Sequence, residues 1–214
     1  MNRLIFATVL LLAAGAARAE KPMSQAQVQK ALRGTTWISI ATELRPQEDR
    51  TGTGKVQPFH VSREFTFLQG DRFQGVITSY ADPYGKVPLV RFVFRGHLEW
   101  QGTHPIAPGA QKVDYVLDEG FLVTPLAPPF ADALNQVPVD GLARWEVGVT
   151  QDILGKAFPL FNVAAGQIVK DYDLVLLKDG MLFMGAKHVD GTPFDRPERR
   201  PTNLQVPLVR KGGA

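Results

Sequence analysis

The sequence predicts a mainly β protein: an antiparallel, calycin- or lipocalin-like β-barrel with an N-terminal helix and a short helix at one mouth. Three observations carry that expectation. From Leu89 to Trp100 the chain alternates with a period of two. Val90, Phe92, Phe94, Gly96, Leu98 and Trp100 share one face, and Arg91, Arg95, His97 and Glu99 share the other, with Leu89 and Val93 as exceptions. That is the pattern of a half-buried strand. At roughly 3.3 Å per residue it would run about 40 Å, long for an open sheet but suited to a barrel, whose strands bend. Gly96 supplies a place to bend. Second, 20 glycines and 16 prolines separate further alternating runs, as many strands joined by turns require. Third, there is no cysteine, so the fold must rest on its core and not on cross-links.

Residues 1–19 read as a secretory signal peptide. Arg3 is the positive n-region, Leu4 to Ala17 the apolar run, and Ala17-Arg18-Ala19 a small-x-small cleavage site, so cleavage is expected between Ala19 and Glu20. The run is short for a permanent span. Its Leu- and Ala-rich character looks bacterial, and the expected location is periplasmic or secreted. A bacterial lipoprotein needs a cysteine after its cleavage site, and this chain has none. No transmembrane anchor is expected. Residues 20–33 then form the N-terminal helix and 34–214 a single β-barrel domain, long enough for one sizeable core. Removing Arg3 and Arg18 lowers the formal charge from +3 to +1, which gives no electrostatic case for nucleic acid.

Taken in order, Ser24 and Gln27 form a capping-box pattern, Val28, Ala31 and Leu32 a small apolar stripe, and Gly34 a stop. The expected helix packs against the sheet as a plug. Gly34 to Leu44 is the first strand, and its Gly-x-x-Trp opening at Trp37 is common at the start of calycin-type barrels. Gln47 to Pro58 is a polar loop. Phe59, Val61, Phe65 and Phe67 lie on one face of the next strand, and Arg63 falls among them. A buried arginine needs a partner, and Glu43 or Asp114 could serve. Either the pair ties two strands together or Arg63 anchors a ligand's head group. Gln69-Gly70-Asp71 and Asp82-Pro83-Tyr84-Gly85 are turns around a strand from Phe73 to Tyr80. The long strand follows, then a loop from His104 to Gly109 and a strand from Ala110 to Leu117, which completes a four-stranded meander. Pro128 and Pro129 start a short helix in which Phe130, Ala133, Leu134 and Val137 share a face, as a lid or as static packing. Residues 144–169 show no dominant period. Strands resume at Tyr172 to Leu177 and Met181 to His188 around Lys178-Asp179-Gly180. Pro193 to Pro201 wraps the outside before a last strand, Leu204 to Val209.

No motif dictates chemistry. His60, His97, His104 and His188 lack the spacing of a zinc site. No nucleophile elbow, phosphate loop or dinucleotide fingerprint occurs. Asp171 and Asp173, alternating with Tyr172, are expected to be solvated, and too few acids lie near for a calcium loop. Glu64 or Glu99 could act as a general acid only if buried. No catalytic residue, metal or cofactor is therefore expected.

The middle of the chain resembles the domain of the adenomatosis polyposis coli down-regulated protein 1 (APCDD) family. The matching series is Trp37, Glu43-x-Arg45-Pro46, Arg63-x-Phe65-x-Phe67, Phe73, Tyr80-x-Asp82, Pro88, Arg95-Gly96, Gly109 and Asp114-Tyr115, with a later piece at Leu182-Phe183-x-Gly185, His188 and Asp190. It covers Gly34 to Leu208 and is dense from Trp37 to Leu117. The resemblance implies a secreted β-barrel with an apolar pocket that binds lipid; animal members of that family inhibit Wnt signalling by engaging the lipid on Wnt. It also implies cysteines near Thr42 and Gly85, which this chain lacks. With one domain and a bacterial-looking signal peptide, Wnt itself is not the expected partner.

The expected function is therefore non-covalent binding of a lipid or acylated ligand, without catalysis. The expected lining is Trp37, Phe65, Phe67, Phe92, Phe94, Leu98, Trp100 and Tyr115, with Arg63 as anchor. Two alternatives stand beside it: a module with a filled core that binds an envelope protein, and a barrel enzyme with hidden catalytic residues.

Overall fold

The computed structural model describes residues 21–47, 57–188 and 192–212. The signal-peptide reading, most of the polar loop after Gln47, and Asp190 lie outside them.

Helix α1, Gln25–Leu32, begins with the capping box: the Ser24 hydroxyl accepts from the Gln27 amide, and the Gln27 side chain accepts from the Ser24 amide. Gly34 ends it at φ +72, where its amide donates to the Phe67 carbonyl. Val28 and Leu32 are buried, whereas Ala31 is exposed, so the apolar stripe is narrower than its spacing suggests.

Eight strands close an antiparallel barrel. They are β1 (Thr35–Ser39), β3 (Gln57–Phe67), β4 (Arg72–Tyr80), β5 (Pro88–Thr103), β6 (Gln111–Pro125), β8 (Val169–Lys178), β9 (Met181–Met184) and β10 (Leu208–Arg210). The meander from β3 to β6 is continuous. β6 pairs with β8, β8 with β9, β9 with β10, and β10 with β1, which closes on β3. Two short strands extend this wall: β2 (Glu43–Gln47) beside β3, and β7 (Gln151–Asp152) beside the far half of β6. A closed barrel leaves few free edges, which suits a chain without disulfides.

The first strand departs from the sequence reading by splitting in two. Ile38 pairs with Glu64 and Glu43 pairs with Val61, so the stretch between Ile38 and Glu43 is longer than its partner between Val61 and Glu64. The excess loops out and leaves Ile40 61% exposed. At this break the Arg63 amide donates to the Ser39 hydroxyl, 2.8 Å away.

The alternation along β5 holds. Phe92 and Phe94 face inward opposite Val123 and Phe121 of β6, and Leu98 and Trp100 opposite Tyr115 and Val113. The register slips between Arg95 and His97, around Gly96. A Cβ on Gly96 would sit 1.8 Å from the Val116 carbonyl oxygen, so only glycine allows the strands to close there. β6 runs on to Pro125 because the slip absorbs two extra β6 residues, an even number that keeps its phase, so Phe121 and Val123 face inward as Val113 and Tyr115 do. Gly75 serves a different purpose: its missing side chain leaves room for the Phe94 ring, which a Cβ would meet at 2.0 Å.

Helix α2, Pro128–Asn135, starts on its prolines. It buries Ala131, with Phe130 and Leu134 half-buried; Ala133 is exposed, and Val137 lies beyond the helix end. Residues 144–169 contain β7, a 3-10 turn at Pro159–Phe161, and the buried anchors Trp145, Ile153 and Phe158. β9 and β10 are shorter than the sequence suggests. Met184 and Leu208 are their last and first paired residues, and between them the chain wraps outward through Pro197–Arg199. Arg200 holds this wrap on: it donates to the carbonyls of Val113 and Asp173 and pairs with Asp114 at 2.6 Å.

Candidate functional site: the barrel interior

The register directs one side chain in two from every strand into the lumen. Trp37, Phe65, Phe67, Phe92, Leu98 and Tyr115 are buried there, with Phe94 and Trp100 half-buried, so the structure brings the whole expected apolar lining into one enclosure. The interior has two parts. At the end that α1 plugs, Phe67, Phe73, Leu98, Val113, Leu182 and Leu208 are almost fully enclosed. The pocket left between α1 and this end holds about 10 Å3, room for at most one water. Away from α1, Val61, Val90, Phe92, Phe121 and Val123 are also buried, while the inward-facing Ile77, Phe94, Val169 and Asp171 retain contact with solvent. A separate cleft of about 400 Å3, lined by Gly34, Thr35, Thr36, Arg210, Lys211 and Gly212, contains none of the expected lining.

An aromatic column links the two parts. Phe73 meets Tyr115 with ring centroids 4.9 Å apart, Tyr115 meets Phe65 at 5.9 Å, Phe65 meets Phe94 at 6.1 Å, and Phe94 meets Phe121 at 6.2 Å. Phe121 then stacks on Phe161 of the covering segment at 6.2 Å, and Phe161 reaches Phe92 at 5.0 Å. Phe130 of α2 closes on Phe92 from the other side, and Phe161 itself is 43% exposed. Edge and tilted contacts of this kind are favourable beyond their burial. The sequence reading did not include Phe73, Phe121, Phe158 and Phe161 in the lining. The signal for Phe121 was that alternation resumes after the Asp118-Glu119-Gly120 interruption in the same phase, with Phe121 and Val123 continuing the series of Val113, Tyr115 and Leu117. For Phe158 and Phe161 there was no periodic signal, because they sit on a turn.

Arg63 lies on the apolar face, 3% exposed, and is fully engaged with protein. Its Nε donates to both oxygens of Glu43, at 2.8 and 3.1 Å, and Nη2 donates to the Val206 carbonyl at 2.7 Å, with the Met184 sulfur 3.6 Å from Nη1. Glu43 also accepts from the Ser39 hydroxyl at 2.6 Å and from Arg45 at 3.2 Å. Of the two partners foreseen for Arg63, Glu43 is the one used; Asp114 lies on the outer wall and binds Arg200. The pair ties β2 to β3 across the break in the first strand. Burial, and after it the nearby Arg63, pull the Arg45 guanidinium below its ordinary pKa.

Asp173 corrects the sequence reading. It pairs with Val113 in register, faces inward and is 6% exposed, not solvated. Its Oδ1 accepts from the amides of Leu174 and Gly185. Burial pushes its carboxyl up to about 7 against these two bonds. Asp171 also faces inward, opposite Tyr115, but remains exposed to solvent. The Tyr115 hydroxyl is buried with no hydrogen-bond partner among the described residues, and burial, then Asp173, raise its pKa well above the usual phenol value. Glu64 and Glu99 stand on the outer face with Lys211 and Lys170, so neither is the buried acid that acid catalysis would need.

The chain matches no protein-family model.

Proposed function

We propose that the protein is a binding protein, periplasmic or secreted, that holds a lipid or acylated apolar ligand inside its barrel. The observation that carries this reading is the aromatic column, which runs from the packed end to the half-open mouth and finishes on the exposed Phe161. An apolar chain lying along it would exchange water for ring faces. A chain of about fourteen methylenes contributes roughly 11 kcal/mol gross at about 0.8 each, and ordering the chain and the mouth offsets a large part of that. Such a cavity needs few polar groups and no catalytic one.

Thr42 and Gly85, where the resemblance to the APCDD family implies cysteines, touch: a Cβ on Gly85 would lie 2.9 Å from the Thr42 methyl. The Thr42 Cβ lies one bond behind that methyl, so the two Cβ positions come within the roughly 3.5–4.5 Å that a disulfide spans. Here the Thr42 hydroxyl bonds to the Pro83 carbonyl instead.

The test is native mass spectrometry of protein purified gently from a periplasmic extract. A discrete extra mass that leaves on denaturation, and is lost in a folded Phe94→Asp variant, is the expected result. A bare mass, with no uptake of offered fatty acids or phospholipids, would overturn the reading. It would favour the second one, a filled-core envelope module, which draws on the tight packing of Phe67, Phe73, Leu182 and Leu208 at the α1 end.

A further inference from the structure

The polar groups inside the barrel say which head group the ligand carries, an inference that rests on the carrier reading above. Among the described residues, Arg210 shares the inward face only at the α1 end, beside Trp37; around Tyr115 and Arg63 the inward-facing charges are Arg45 and Arg63 against Glu43, Asp171 and Asp173. Glu43 occupies both arginines. Asp173 is held by two backbone amides. Asp171 makes no hydrogen bond or ion pair within 4 Å among the described residues. Burial raises its pKa above the ordinary carboxylate value, and the two charges acting on it, Lys187 and Asp195, are of opposite sign. It is crowded by the barrel walls and still meets solvent, the condition of a side chain lining an opening and not a packed core. Directly across the strand pair from it stands Tyr115, 4% exposed, its hydroxyl without a partner among the described residues. Cross-strand neighbours on one face stand about 5 Å apart at Cβ. The rings of Phe65 and Phe73 flank Tyr115.

We propose that Asp171, Asp173 and Tyr115 form a polar subsite in the lumen for the protonated amine of an amphiphile whose apolar chain lies along the aromatic column. The physical case has three parts. An ammonium finds in Asp171 a carboxylate with no hydrogen bond or close ion pair among the described residues, in a site where protein walls weaken solvent screening. Aromatic faces favour a cation beside them. The Tyr115 oxygen can accept one of the ammonium's hydrogens, which answers a buried polar atom that otherwise stays unsatisfied. A carboxylate head group meets the reverse: a third uncompensated anion, with both arginines already committed.

The experiment compares three amphiphiles with the same twelve-carbon chain, dodecylamine, dodecanol and dodecanoate, by native mass spectrometry and tryptophan-fluorescence titration at pH 7.5, each below its aggregation limit. Dodecylamine is expected to bind about tenfold tighter than dodecanol, and dodecanoate weakest. Asp171→Asn should lower dodecylamine affinity about tenfold and leave dodecanol unchanged. Any order that does not place the amine first, or an Asp171→Asn variant that keeps the amine preference, overturns the subsite while leaving the carrier reading standing. Failure of all three to bind overturns both. The head-group order in the unaltered protein needs no variant to fold, so the inference stays testable if Asp171→Asn is unstable.

Discussion

Replacing Glu43 with glutamine would strand two arginines inside the protein. Glu43 is 5% exposed and carries the interactions of Arg63, Arg45 and Ser39. Two unit charges at the observed 2.8 Å attract by about 6 kcal/mol at an effective dielectric near 20. The glutamine oxygen would keep one hydrogen bond, but its NH2 would face guanidinium donors. Breaking a buried pair by removing one partner typically costs about 3–5 kcal/mol, and the lower half of that range, about 3–4 kcal/mol, is expected here. For a domain of this size that lowers Tm by roughly 10 °C. Urea unfolding followed by the fluorescence of Trp37, Trp100 and Trp145 measures it. The double variant Glu43→Leu with Arg63→Met should recover at least half of the loss, because an apolar pair of similar volume no longer leaves a buried charge. A loss under about 1 kcal/mol for Glu43→Gln is the size of a surface ion pair, and would refute the claim that this pair locks the break in the first strand.

Asp173 sets a pH dependence whose sign follows from its raised pKa. The folded carboxyl titrates near 7 and the unfolded one near the ordinary 3.8, so between these values the native state holds a proton that the unfolded state has lost. Stability therefore falls as pH rises from about 4 to about 7, by at most about 1.4 kcal/mol per unit from this group, then levels. Asp173→Asn keeps an oxygen for the Leu174 and Gly185 amides and should flatten that fall, so urea midpoints at pH 5 and pH 8 should converge in the variant and differ in the parent; parallel profiles would count against it. Thr42→Cys with Gly85→Cys should oxidise readily to an intramolecular disulfide, seen as a two-dalton mass loss with both thiols blocked to alkylation. The bond closes a long loop and should add up to about 3 kcal/mol, less the strain of a side chain at the φ of +68 that Gly85 adopts. Persistent free thiols under oxidant would show that the two positions do not meet in solution.

Much of the barrel was legible because its signals are local. Alternation from Leu89 to Trp100 fixes which residues face inward whatever the neighbouring strand does. Ser24 and Gln27 cap a helix from within four residues, and Gly70-Asp71 and Asp179-Gly180 bring the positive φ values that tight hairpins need. The inward faces were legible to the same extent: every residue expected to line the interior faces inward, and Arg63 pairs with one of its two foreseen partners. What failed did so where the backbone departs from a fixed period. The break after Ser39 and the slip at Gly96 each insert two residues that interrupt the pairing but keep the phase, so the first strand looked continuous and β6 looked finished at Leu117. Asp173 looked solvated because an aspartate on a strand normally is; two amide donors and a closed wall keep it inside.

The sequence by itself determined the strands and their faces, since a side-chain period of two is a property of the chain alone. It determined too that a buried arginine needed a carboxylate. Only the tertiary structure decided that the sheet closes, because β1 pairing with both β3 and β10 joins segments from opposite ends of the chain. Closure also decided the chemistry of the interior. It stacked rings from five separate stretches into one column, and it placed Asp171 across from Tyr115 with no hydrogen-bond partner among the described residues, an arrangement that no spacing along the chain encodes.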